Sequence, residues 1–383
     1  MDRTLPKSLL KHWKDPKNLI QIILGPRQVG KTTAITTLMD KENTIYATAD
    51  LPIPPTTDFI ITQWEEARKL RHPQKILILD EVQKIPRWSE TIKMLWDEDI
   101  RIKNKMTVWL LGSSAILIEK GLSESLTGRF ELNYFPHWIY SECKKIFNAS
   151  LEDFVFFGGY PKAYSFRDDK ERGHEYIQNS IVETTLGRDI LTLHAVDKPA
   201  LLRQLFWYIS KLPAQIVSFE KILSHLQGKG NSATLVHYAE LLHLAFILTP
   251  LSKFSKKIHK TKKSIPKWIL PNPALVDISV RKEGLQSFVF ENLVGSHIAN
   301  LLFGNHRYIL QYWREDNQEI DFIITENNRP VLAIEVKSGR YKKTSTKLLN
   351  DIQCPFTIIH QKNIENFLST SSIEEILSFY KAR

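Results

Sequence analysis

Unbroken apolar runs alternate with longer amphipathic stretches through the first third of the chain. Residues 19–24 (LIQIIL), 75–79 (KILIL) and 107–111 (TVWLL) read as buried strands, with a shorter strand signal at 44–47. A proline-rich connection, LPIPP, occupies 51–55. Continuous apolar strands separated by helix-length segments predict a parallel sheet covered on both faces. After Phe135-Pro136 the pattern turns helical, with a turn at Gly158-Gly159-Tyr160-Pro161 and helical text to about 193. Helices are predicted at about 201–210 and 219–227, followed by a Gly228-Lys229-Gly230 break. A third helix follows, capped by Asn231 or Ser232, with Leu235, Ala239, Leu242 and Phe246 on one face. Three helices with a glycine break predict a helix-turn-helix, in which Phe206, Trp207 and Tyr208 read as core. The C-terminal part predicts a helix at 288–303, strands at 308–313, 320–324, 331–337 and 356–359, and a polar helix at 344–351.

Length changes this picture first: 383 residues exceed one ordinary core and imply two or three domains. Apolar residues at 43% and charged residues at 25% exclude a disordered chain. No run of about 18 apolar residues predicts a membrane span, and the polar N-terminus argues against a signal peptide. Two distant cysteines, Cys143 and Cys354, suit a reducing cytoplasm and form no metal-ligand cluster.

A formal net charge of +10 points to phosphate, as nucleotide or nucleic acid. The charge is concentrated between 253 and 267, where Lys253, Lys256, Lys257, Lys260, Lys262, Lys263 and Lys267 occur without an acid. That is where a winged helix would carry its wing. Lys229, Asn231, Ser232, Thr234 and His237 lie at or near the start of the predicted recognition helix. DNA is the expected partner. The alternative is a protein-binding winged helix with a solvated lysine loop. His194 and His237 lack metal-ligand spacing.

The run Gly25-Pro26-Arg27-Gln28-Val29-Gly30-Lys31-Thr32, with Thr33 behind it, lies between a predicted strand and a predicted helix. That is the context a phosphate-binding loop requires. The glycines let backbone N–H groups turn inward, Lys31 would neutralise the β- and γ-phosphates, and Thr32 would ligate magnesium. Asp80-Glu81 ends the 75–79 strand: Asp80 would hold the magnesium shell and Glu81 would orient or deprotonate water. Ser113 or Ser114 could sense the γ-phosphate or merely cap a helix. Arg129 could be an arginine finger or a surface arginine.

The strings GPRQVGKTT, LILDEVQKIPRW and LLGSSAILIEKGLSESLTGRF, followed by GGYPKAY and TTLGRDI, resemble a large family of prokaryotic AAA-type ATPases. The resemblance covers nearly the whole chain. It implies an ATPase core followed by a C-terminal domain of unknown function, with a winged-helix portion and a restriction-endonuclease-like fold. It also implies Arg129 as the finger and Ser113 or Ser114 as the sensor. Asp321, Glu335 and Lys337 on successive strands look like the PD-(D/E)xK nuclease active site. Glu335 and Lys337, two apart, would share a strand face, with Glu291 as a possible third acid.

The expected architecture is therefore α/β: a P-loop NTPase domain over 1–135, a helical lid or connector over 136–198, a winged helix over 199–270 and a nuclease-like domain over 271–383. The expected function is magnesium-dependent ATP hydrolysis coupled to DNA, with a homo-oligomer required if Arg129 acts across a subunit boundary. The alternatives are a nucleotide-controlled switch acting on protein partners and an ATP-gated nuclease. A P-loop kinase fits less well, because an acidic pair suits water better than an acceptor hydroxyl.

Overall fold

The computed structural model describes residues 3, 7–53, 55–112, 125–191, 196–227, 230–255, 264–281, 287–315, 318–339 and 353–381. The chain divides into two compact units, Met1–Phe135 and Pro136–Arg383.

In the first unit, β1 (Ile20–Leu24), β2 (Thr44–Thr48), β3 (Lys75–Asp80), β4 (Met106–Gly112) and β5 (Phe130–Tyr134) form one sheet in the order β2-β3-β4-β1-β5. All its pairings are parallel. Every residue of β1 is buried, as a largely apolar strand requires when both faces are covered, and its one polar side chain is Gln21. The helices Thr57–Lys69 and Trp88–Arg101 are tied together through Asp99, which is 3% exposed. Asp99 accepts hydrogen bonds from Trp64 Nε1 at 2.8 Å and Arg68 Nε at 2.8 Å. The buried charge is thus paired on both oxygens, the condition under which burying it is tolerable.

Strand β5 is absent from the sequence reading. It is an edge strand with polar residues at two of its five positions, so it lacks the apolar signature. Its polar side chains point to partners: His12 pairs with Glu131 at 3.1 Å, and Asn133 donates to the buried Gln21 at 3.0 Å.

The second unit opens with helices Tyr140–Phe147 and Leu151–Phe157 and further helical turns to Ile190. Helices Pro199–Ser210, Phe219–Leu223 and Ser232–Leu244 follow, then β6 (Thr249–Leu251) and β7 (Lys267–Ile269), paired antiparallel. Asn231 caps the third helix, accepting from Thr234 N at 2.8 Å. Leu235, Ala239 and Leu242 are buried as expected. Phe246, though buried, lies beyond the helix in a left-handed conformation (φ 62°). Of the three aromatics read as core, Phe206 is buried, while Trp207 and Tyr208 are half-buried, with Trp207 Nε1 bound to Glu183.

Strands β8 (Tyr308–Glu315), β9 (Gln318–Glu326), β10 (Arg329–Lys337) and β11 (Phe356–His360) form a mixed sheet in the order β11-β10-β9-β8. The helix Ser287–Leu301 is buried along most of its length. The predicted polar helix at 344–351, Lys229, His194 and the lysines at 256, 257, 260, 262 and 263 lie outside the described residues.

His297, on that helix, is 4% exposed and shares a 2.9 Å hydrogen bond with Thr370 Oγ1. Burial pushes its pKa down from 6.5 to about 3. The unfolded chain therefore takes up this proton near pH 6.5 and the folded chain does not. The contribution to stability is complete above pH 6.5 and is lost as pH falls toward 3, by at most about 1.4 kcal/mol per pH unit. His297→Asn protein should show a shallower fall in melting temperature between pH 6.5 and 4 than wild type; parallel curves would refute this account.

Candidate functional site

Three strand ends meet at one edge of the first sheet. Leu24 pairs with Gly112, and Asp80 pairs with Leu111, so the loop after β1, the acidic pair after β3 and the end of β4 are neighbours. The loop 25–30 turns back here into the helix Lys31–Thr36. Gly30 enters the helix at φ 82°, a left-handed conformation that favours glycine. At Gly25 a Cβ would lie 2.0 Å from Phe135 O, so that position has no room for a side chain. Pro26, Arg27, Gln28 (φ 59°) and Val29 complete the loop, and Thr33 lies in the first turn of the helix.

The expected side chains converge at this edge. Lys31 is 9% exposed and its Nζ donates to Gly25 O at 2.9 Å and Pro26 O at 2.7 Å. Thr32 Oγ1 donates to Asp80 Oδ2 at 2.8 Å, and Tyr46 OH donates to the same oxygen at 2.8 Å. The hydroxyl and carboxylate oxygens of Thr32 and Asp80 are the hard donors that magnesium takes. Tyr46, at the middle of β2, was missed by the sequence reading; only its place on the strand beside β3 marks it.

Glu81 turns out of β3 at φ 54°, with its N–H bound to Leu111 O at 2.9 Å. Gln83 Nε2 donates to its carboxylate. Burial holds the Glu81 carboxyl above its ordinary range, and the nearby Lys31 ammonium offsets this only in part. A half-buried carboxylate with a raised pKa beside a magnesium-type oxygen pair is suited to take a proton from water. Ser113 and Ser114 follow Gly112 directly and lie outside the described residues.

Arg129 is at the other end of the same sheet. Its carbonyl accepts from Ile20 N at 2.8 Å at the start of β1, whereas the phosphate-binding loop follows Leu24. Four residue steps of strand, about 13 Å, separate the two ends. The guanidinium holds Asp97 in a two-point pair at 2.7 and 3.0 Å. Arg129 therefore does not meet the loop of its own chain.

In the second unit, the sequence-predicted acids are rearranged around a residue expected elsewhere. Lys267 is not on a solvated wing. It lies in β7, fully buried, and its Nζ is 3.1 Å from Glu319 and 3.5 Å from Asp321, and against Glu291. It also donates to Asp321 O at 3.2 Å. Burial alone would lower the Lys267 pKa, but the surrounding carboxylates outweigh it and raise it. Burial pushes Glu291 and Asp321 up, against the pull of the ammonium. Asp321 Oδ2 accepts from Val336 N at 2.7 Å, and Lys337 pairs with Glu335. Glu319 was missed; its spacing of two from Asp321 on one strand would have placed both on one face.

Residues 17–143 match the family model described as an AAA domain. Residues 148–283 and 286–368 match two domains of unknown function, DUF8612 and DUF4143. No curated protein matches the chain. Among solved structures, the Walker-type ATPase Paby2304 of Pyrococcus abyssi matches at 13% identity and a TM-score of 0.46, covering 71% of this chain and 94% of that one. The Aeropyrum pernix ORC1 protein in complex with DNA matches at 12% identity and a TM-score of 0.28, covering 74% and 94%. The DnaA of Aquifex aeolicus bound to AMPPCP matches at 12% and 0.32, covering 62% and 86%. At these scores the resemblance is distant.

Proposed function

We propose that this chain binds and hydrolyses ATP with magnesium, in an assembly of more than one copy, and couples turnover to DNA through its second unit. The observation that carries the reading is the Thr32–Asp80 hydrogen bond, set between the Lys31 loop and the half-buried Glu81. Thr32 and Asp80 would hold the magnesium ion, whose charge would neutralise phosphate oxygens. Residues 25–33 cradle the phosphates, Lys31 exchanges its loop carbonyls for phosphate oxygens, and Glu81 accepts the proton of the attacking water. Arg129 serves the nucleotide of a neighbouring copy, since it is placed away from its own. Ser113 or Ser114 keeps the sensor role in this reading.

The second unit is read as a connector over 136–198, a winged helix over 199–270 and a restriction-endonuclease-like sheet over 271–383. Three helices followed by an antiparallel hairpin, with Ile216 bridged to Lys267, support the winged helix. A four-stranded mixed sheet bearing Asp321 and Glu335 supports the second fold. Exposed Asn231 and His237 at the third helix and the basic hairpin loop would meet DNA.

Steady-state ATP hydrolysis with magnesium, with and without single- and double-stranded DNA, tests the whole reading. Turnover should rise with DNA. Duplex affinity should fall roughly 40-fold between 50 and 200 mM salt for about three phosphate contacts. Turnover indifferent to DNA would leave the ATPase standing and favour a switch that acts on protein partners.

A further inference from the structure

A cleft of about 870 Å³ opens at the amino ends of the first sheet, lined wholly by residues of the first unit. Ile76 and Met106, at the starts of β3 and β4, border it, whereas the phosphate-binding loop follows Leu24 at the carboxyl ends. Ligands of open α/β sheets ordinarily bind at the carboxyl ends, so this opening is separate from the expected site. Asn43, which lines it, is 9% exposed. Its Oδ1 accepts from Thr44 Oγ1 at 2.7 Å, and its Nδ2 has no partner among the described residues. The Thr107 hydroxyl, also in the lining, likewise has no partner among them. Buried polar groups are ordinarily hydrogen-bonded, so an amide with idle donors beside a cleft points to a ligand.

The rim is basic and is not neutralised from within. Of the acids in the lining, Asp15 pairs with Lys17 at 2.6 Å and Asp99 is held by Arg68 at 2.8 Å. Lys14, Lys103 and Lys105 are exposed and have no acid partner among the described residues. Trp13, half-buried in the lining, packs on Trp109 with ring centroids 5.1 Å apart.

We propose that this cleft binds a nucleoside phosphate, with the base against Trp13 and Asn43 and the phosphate on Lys14, Lys103 and Lys105. An aromatic ring takes the flat face of any base, a carboxamide N–H donates to base edges, and lysine takes phosphate as a point charge. The same chemical unit arrives either free or within a single strand. The inference is independent of whether the loop 25–33 turns ATP over.

Equilibrium dialysis of the full chain with radiolabelled AMP, without magnesium, tests it. AMP lacks the β- and γ-phosphates that Lys31 would neutralise, so wild type and Lys31→Ala should each bind one equivalent. Lys103→Glu/Lys105→Glu, changed only at exposed side chains, and Asn43→Asp should each weaken AMP by about tenfold or more. Because Asn43 is buried, Thr107→Val, which keeps the branched shape of the strand residue, is measured beside it and should weaken AMP as well. Inorganic phosphate should displace AMP far less well than unlabelled AMP, since it lacks the base. An oligodeoxyadenylate that displaces AMP more tightly than AMP itself supports the site with a single strand as its source; a weaker one supports it with the free nucleotide. Wild type that binds no AMP overturns the proposal, as does binding that the cleft substitutions leave unchanged. Binding abolished by Lys31→Ala, or displaced equally well by phosphate, overturns it too.

Discussion

Lys31→Ala protein and Arg129→Ala protein should each be inert toward ATP, and an equimolar mixture of the two should regain turnover. The expectation comes from the placement of Arg129 at the opposite end of the sheet from the loop of its own chain. An arginine that stabilises the transferring phosphoryl contributes about 10³–10⁵ in kcat. If it does so from a neighbouring copy, the Arg129→Ala chain has a sound loop and the Lys31→Ala chain has a sound finger. Co-assembly then rebuilds one complete site at their interface. Random pairing into dimers would restore roughly a quarter of wild-type turnover. Both parts are read by phosphate release at fixed total protein. Full turnover in Arg129→Ala would make that residue a surface arginine held by Asp97. A mixture that co-assembles and stays inert would remove the shared site.

Glu81→Gln should lower kcat by about 10²–10⁴ while leaving ATP affinity close to wild type. The amide preserves the shape and the Gln83 contact region but cannot take a proton. The phosphate-binding groups, Lys31 and the loop, are untouched, so nucleotide should accumulate bound and unhydrolysed. The raised Glu81 pKa adds a sign: the acid limb of the wild-type rate should lie above the ordinary carboxylate range, and activity should fall as pH drops through it. Gln83→Ala removes a donor to the charged carboxylate and should move that limb further up. Single-turnover hydrolysis across pH reads both. Wild-type kcat in Glu81→Gln would end the general-base assignment.

The parallel sheet was legible because strands buried on both faces need near-continuous apolar text, and β3, β4 and, Gln21 apart, β1 have it. The loop and the acidic pair were legible because their spacing fits phosphate chemistry. Strand β5 was not, since an edge strand with Glu131 and Asn133 satisfied by His12 and Gln21 reads as polar coil. Lys267 was misplaced for a different reason. Its six lysine companions argue for solvent, while the acids that neutralise it lie 24 to 54 residues downstream and reach it only through the fold. Charge density is a local property, whereas burial of a charge depends on distant partners. Glu319 was within reach of the strand period, and its omission was an oversight of pattern, not of physics.

The chain just after β6 continues into the C-terminal sheet. Tyr312 N donates to Ser252 O at 3.2 Å, Phe254 N donates to Tyr312 O at 2.6 Å, and Phe254 packs with Trp313, Ile320 and Ile323. Residues 252–254 therefore cover part of the free side of β8, an edge that would otherwise offer unpaired backbone groups to another chain. Heredity inherits this stitching as a constraint: a recombination breakpoint near residue 270 would bare the edge and strand Lys267 from its acids in the same stroke. Hairpin and sheet can be shuffled among proteins only as one cassette.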